Sequence, residues 1–291
     1  MKTLIEPSSH TLQAPGATIV YDVREAAPTS APPLFIIGSP MGADGFLTLA
    51  SHFPDRTVLT YDPRGVNRSQ KDDPLSESTP DQHADDLHRV IADFGAGPVD
   101  LMATSGGAVN ALALVAAHPV DVHILVAHEP PIATVLPDGD VVLAANRDIR
   151  ETYFKSGFGP AMAKFIGLVM QEGEIPADYL SRPAPDPAMF GLPTQDDGSR
   201  ADPLLNQNMV TASAYELDFN ALRAATTRIV LAVGEESAGG IPGRAAIVTA
   251  ERLGLEPVIF PAGHDGFLGG EYGRTGKPDE FAAKLREVLS T

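Results

Sequence analysis

The chain has 291 residues, 43% of them hydrophobic, enough to bury a large core in one α/β domain carrying a modest insertion. Its formal net charge of −17, with no basic run to offset it, repels a phosphate backbone and excludes nucleic acid as an expected partner. The absence of cysteine excludes a disulfide framework, a thiolate nucleophile and a cysteine-ligated metal.

Residues 10–25 alternate apolar and polar around Ala14-Pro15-Gly16, which predicts a β-hairpin. Short apolar runs at 34–37, 57–61, 99–103, 122–127, 228–233 and 256–260 read as buried strands. Helical patterns lie around 45–52, 81–94, 108–117, 245–253 and 279–289. Strands that alternate with helices and are apolar on both faces imply a mostly parallel sheet flanked by helices. The stretch from 132 to 227 breaks this rhythm. It carries helical patterns at 148–154, 161–171 and 206–219, with a Pro-, Asp- and Gly-rich passage at 181–203. It is expected to be an α-helical cap inserted between two strands, leaving 1–131 and 228–291 as the core.

The run Leu101-Met102-Ala103-Thr104-Ser105-Gly106-Gly107 ends in a hydroxyl between small residues, and a helical pattern follows at once. Strand, sharp turn and helix with serine at the apex describe a nucleophile elbow, whose tight turn admits only small residues two positions before and after the serine. Ala103 stands where the first glycine of G-x-S-x-G would be, and alanine meets the demand for smallness.

Tyr61-Asp62-Pro63-Arg64-Gly65-Val66-Asn67-Arg68-Ser69 looks like the D-x-R-G-x-x-x-S loop that commonly follows the second parallel strand of α/β-hydrolases. With the elbow and a late Gly263-His264, the order of signals over nearly the whole chain resembles the α/β-hydrolase superfamily with a serine nucleophile. The rival is a nucleotide-binding doubly wound sheet. It wants a glycine-rich phosphate loop after an early strand, and Gly38-Ser39-Pro40-Met41-Gly42 has a proline where an N–H is needed.

The resemblance implies a base that activates Ser105. His264 follows the last predicted strand, in Pro261-Ala262-Gly263-His264-Asp265-Gly266-Phe267, where that fold brings a loop over the elbow. His10, His52, His83, His88 and His118 fall in hairpin or helix positions and read as solvated or capping. The usual acid is an aspartate a few residues past the strand at 228–233, but there the chain reads Gly234-Glu235-Glu236-Ser237, with serine in the aspartate's place. Val126-Ala127-His128-Glu129-Pro130-Pro131 is similar to the His-Glu-x-Pro segment of zearalenone-type lactone hydrolases, which implies Glu129 as the triad acid. Glu236 and then Glu235 stand as alternatives, against a plainer role as solvated charges at a helix N-terminus.

One oxyanion donor is expected at the backbone N–H of Gly106. Alignment with the family's H-G-x-P-like pattern, in which Ile37 replaces the histidine, puts the other at Ser39, with Met41 as a fallback because Pro40 cannot donate. Asp62 and Arg64 read as a buried loop-bracing pair, with a charged substrate clamp as the alternative. Met41, Met162, Phe165, Met170 and Met209 are candidates to line an apolar pocket beneath the cap, with His128 its neighbour.

The expected protein is a serine hydrolase that cleaves a small carboxylic ester or lactone through an acyl-enzyme, with no metal and no organic cofactor. Thioesterase or acyltransferase activity, C–C bond hydrolysis and perhydrolysis would use the same triad, and a non-catalytic ligand receptor could keep the same fold. No apolar run reaches membrane-spanning length and Met1-Lys2-Thr3-Leu4-Ile5-Glu6 has no apolar stretch of the signal-peptide kind, so a soluble cytoplasmic monomer or homodimer without membrane contact is expected.

Overall fold

Alternate residues of the same short strand go to opposite faces of the sheet, and this builds two cores at once. A computed structural model describes residues 6–290; the signal-peptide reading of the first residues lies mostly outside them. The expected hairpin is β1 (Ser8–Ala14) and β2 (Ala17–Arg24), joined through Pro15 and Gly16 with Gly16 at φ 73°. There follow β3 (Leu34–Ile37), a 3₁₀ turn (Ala43–Phe46) running into α1 (Leu47–Ser51), β4 (Val58–Asp62) and β5 (Gln70–Lys71). Next come α2 (Pro80–Phe94), β6 (Val99–Thr104), α3 (Gly106–Ala117) and β7 (Val122–His128). After a helical segment containing α4 (Gly139–Ser156), α5 (Phe158–Val169), α6 (Met209–Ser213) and α7 (Phe219–Ala224), the chain returns to β8 (Arg228–Gly234), α8 (Ile241–Leu253), β9 (Val258–Phe260) and α9 (Pro278–Ser290).

The strand order is β1-β2-β4-β3-β6-β7-β8-β9, with the short β5 paired to β2. From β4 through β9 every neighbouring pair is parallel, and only the β1, β2 and β5 pairings are antiparallel. In β3, Phe35 and Ile37 join the core shared with α2, α3 and α8, while Leu34 and Ile36 join the one shared with Phe46, Phe53 and the α9 residues Phe281 and Leu285. Phe281 is fully buried and packs edge-on to Phe267; burying such a side chain contributes about 1.5–3 kcal/mol. The helix α2 opens on a capping box, in which the Thr79 hydroxyl accepts from Gln82 N–H and Gln82 returns a bond to Thr79 N–H, and it stops at Gly95 with φ 76°.

Two expectations are corrected here. The helix expected over 206–219 is broken into a π-helical turn (Pro203–Asn208), α6, and a separate α7. Asp202 caps the turn at Leu204 and Leu205, and the buried Asn206 and Gln207 amides donate to the backbone oxygens of Leu75 and Pro74. Asp218 starts α7 afresh by accepting from Asn220 and Ala221 N–H. Asp62 and Arg64 both brace the loop, but not as a pair. Arg64 makes two 2.7 Å bonds to buried Asp86 of α2, while Asp62 takes Arg68 at 2.6 Å and the Ala43 N–H at 2.9 Å. Among the described residues no helix is long and apolar enough to cross a membrane.

Candidate active site

Ser105 sits between β6 and α3 at φ 55°, ψ −131°, a conformation that costs a non-glycine residue about 1–3 kcal/mol and lifts its side chain out of the strand. Its N–H is held by the His128 carbonyl at 2.9 Å. The two glycines that follow are required by packing. A Cβ on Gly106 would stand 2.6 Å from the Ser39 carbonyl oxygen, and one on Gly107 would stand 2.7 Å from Gly38 Cα. The loop after β3 therefore lies directly against the first turn of α3. Among the described residues, neither the Ser39 nor the Gly106 N–H is engaged by another backbone carbonyl or side chain.

His264 follows β9 and presents its Nδ1 to Glu129 Oε2 at 2.6 Å. Glu129 is completely buried just past β7, at φ 51°, with its N–H on the Ala232 carbonyl of β8. Its other oxygen accepts from Gly234 N–H at 2.9 Å and from the Ser237 hydroxyl at 2.5 Å. Ser237, which occupies the usual aspartate position in the sequence, thus serves the carboxylate that arrives from the neighbouring strand. Burial works against the charged form of Glu129, but the His264 bond, the charges of both imidazoles and the Ser237 bond outweigh it, and its pKa lies below the ordinary 4.5. Burial likewise works against the imidazolium of His264, yet the bond to Glu129 and its charge carry the pKa above 6.5.

The two alternative acids are not brought to His264. Glu235 and Glu236 both receive Lys277 Nζ, at 2.7 and 2.8 Å, on the exposed side of the loop. His128 is buried behind the site and does not line the cavity. Its Nδ1 meets Thr104 Oγ1 at 3.1 Å, its ring stacks 6.0 Å from that of His264, and burial pushes its pKa down to about 4.

Ser39, Ser105, Gly106, Glu129 and His264 line one cavity of about 790 Å³. Phe165, Met170 and Met209 line it too, as expected of them. Met162 instead packs against the larger core and Met41 against the Phe46 side of the smaller one, so neither side chain reaches the cavity. Sequence reading missed Asn146, whose amide donates to Ser213 at 2.8 Å, and Arg274, beside Asp265; all four residues line the cavity. The helical periodicity seen at 148–154 stops short of Asn146, although α4 begins at Gly139.

Comparison with known proteins agrees with this architecture. The sequence profile of the alpha/beta hydrolase fold matches residues 33–214. An uncharacterized hydrolase of Bacillus subtilis (strain 168), YraK, is 30% identical over 286 residues, covering 96% of this chain and 95% of its own. Among solved structures, a thermophilic esterase from Thermogutta terrifontis has a TM-score of 0.68 at 17% identity over 98% of each chain. The enol-lactonase from Burkholderia xenovorans LB400 has a TM-score of 0.65 at 16% identity, over 97% of this chain and all of its own. The chain belongs to the α/β-hydrolase family.

Proposed function

We propose that the protein is a serine hydrolase that cleaves a carboxylic ester or lactone with Ser105, His264 and Glu129 as its triad, under a helical cap formed by residues 132–227. The observation that carries this reading is the 2.6 Å contact of His264 Nδ1 with a buried Glu129 in the cavity that Ser105 also lines. A carboxylate there fixes the tautomer that leaves Nε2 free to accept a proton. His264 takes the Ser105 hydroxyl proton as Oγ attacks the carbonyl carbon. The imidazolium, stabilised by Glu129, then returns the proton to the leaving alkoxide. Water enters, gives a proton to His264 and cleaves the acyl-enzyme, restoring Ser105. The Gly106 N–H, at the start of α3, and the Ser39 N–H of the adjoining loop are the proposed donors to the tetrahedral oxyanion, worth roughly 3 kcal/mol each.

The mostly apolar wall, including Val142, Phe165, Met209 and Ile241, fits a substrate with a hydrocarbon body. The esterase and enol-lactonase among the structural neighbours are in keeping with an ester or lactone bond. A fluorophosphonate probe followed by peptide mapping tests the assignment, alongside turnover of a short p-nitrophenyl ester. Labelling of Ser105, and a loss of at least about a thousandfold in Ser105→Ala, are expected. Labelling at another residue, or none, overturns the reading.

A further inference from the structure

Away from the cavity, His88 of α2, His118 at the end of α3 and Asp121 in the turn before β7 bring one ligand atom each to within 4.8 Å of one another. Among the described residues they are the only group that gathers three histidine or acidic donors in this way. His88 Nδ1 meets Asp121 Oδ2 at 2.6 Å, and the two imidazoles lie face to face, 3.9 Å between centroids and 9° from parallel. A histidine–aspartate ion pair explains two of the three residues. It does not explain His118, whose ring lies against that of His88 and has no hydrogen bond of its own among the described residues.

We propose that His88, His118 and Asp121 bind one divalent transition-metal ion, with Zn²⁺ the best match. Two imidazoles and a carboxylate are a borderline donor set, suited to Zn²⁺ or Co²⁺ and poorly suited to Mg²⁺ or Ca²⁺. Tetrahedral bonds of about 2.0–2.2 Å need donor atoms roughly 3.3–3.5 Å apart, which side-chain rotation can reach from the spacing seen. The backbone is already fixed for the purpose. His118 N–H bonds the Leu114 carbonyl, Asp121 N–H bonds the His118 carbonyl, and the Asp121 carbonyl holds Val99 N–H of β6. The C-terminal end of α3 carries the negative end of its dipole, and the chain's charge of −17 also favours a cation. All three residues are half-buried, which leaves a path for the ion and a fourth position for water. With 12 residues in α3, the site stands about 18 Å from Ser105, so the ion acts as a clip between α2 and α3 and takes no part in ester cleavage.

The test is calorimetric titration of the full chain, stripped with EDTA and desalted, with Zn²⁺ alone, and with Co²⁺ as an absorption probe. One ion per chain is expected, with affinity in the micromolar range. His118→Ala and Asp121→Asn should each weaken binding at least about tenfold with an unchanged circular dichroism spectrum, and abolish the visible Co²⁺ band. His123→Ala, which removes a nearby exposed histidine that pairs with Asp100 and is not one of the three ligands, should leave binding intact. No saturable Zn²⁺ binding, or an affinity in both site variants equal to that of the wild-type chain, overturns the proposal.

Discussion

Glu129 divides its oxygens between two tasks: Oε2 receives His264, and Oε1 receives Gly234 N–H and the Ser237 hydroxyl. Removing the Ser237 donor leaves the carboxylate in place but less fixed and less stabilised as an anion, so Ser237→Ala is expected to lower kcat about tenfold. Glu129→Gln should cost far more, at least about a hundredfold, because it also loses the charge opposite the imidazolium. Steady-state kinetics on one ester separates the two, and an equal loss in both would contradict this division of labour. The pH profile carries a sign. In the proposed mechanism the base form of His264 is the active one, and its pKa lies above 6.5, so kcat/KM should fall on the acid side through a pKa above 6.5. In Glu129→Gln that limb should move to lower pH, since the bond and charge that raise the pKa are gone. For stability the carboxylate works in the opposite direction. With a folded pKa below 4.5, Glu129 contributes stability that is fully present above pH 4.5 and lost as pH falls through the folded value. The sharp turn at Ser105 was legible because a strand, small flanks and a helix are all local signals. The isolation of Glu235 and Glu236 was not, because it depends on Lys277, some forty residues further along the chain.

At the scale of elements, the contact between the loop after β3 and the first turn of α3 decides what the elbow tolerates. Gly107→Ala puts a methyl 2.7 Å from Gly38 Cα, backbone against backbone, with no flexible side chain to give way. A loss of about 1–3 kcal/mol in stability is expected, and a larger proportional loss in kcat, since the displaced loop carries the Ser39 N–H. Chemical denaturation and turnover measure the two; an alanine variant with native stability and rate would show that the loop is not held by this contact. Five of the six parallel-sheet runs were legible to within one residue at their ends because both of their faces are apolar; the sixth, β9, starts two residues later than expected. The π-helical turn was not. Its shape depends on Asn206 and Gln207 reaching carbonyls more than 130 residues away, and the apolar spacing of 206–219 satisfies an ordinary helix equally well.

Across the whole molecule, the segment between β7 and β8 is tied down on two sides and open on a third. On one side the Ser78 N–H bonds the Gln207 carbonyl, Thr211 donates to the Ser78 carbonyl, and His83 Nε2 meets Asn208 Oδ1 at 2.7 Å. On the other, Asp138 takes both ends of the Arg244 guanidinium from α8, as well as Ile175 N–H. The remaining edge, at the end of α5, exposes Val169 and Met170, both of which also line the cavity. Two fixed sides join the helical segment mechanically to the sheet, so the chain should unfold in one step. With no tryptophan present, tyrosine emission is weighted toward this segment, which holds Tyr153, Tyr179 and Tyr215, half of the six tyrosines, while circular dichroism reports on the whole. The two transitions should coincide. Asp138→Ala leaves the half-buried Arg244 with the Gly173 carbonyl as its remaining partner and should lower stability by about 2 kcal/mol, with the transitions still together. It should also raise KM more than it lowers kcat, because α4, which begins beside Asp138, supplies Val142 and Asn146 to the cavity but none of the proposed triad. Met170→Ser, at the open edge, should change KM for long-chain esters while leaving the melting temperature within a degree or so, as a substitution at an exposed side chain does. Separate transitions for the two probes in the wild-type chain would show that the helical segment opens as a unit of its own, and the route to Ser105 would then run beneath it instead of past α5.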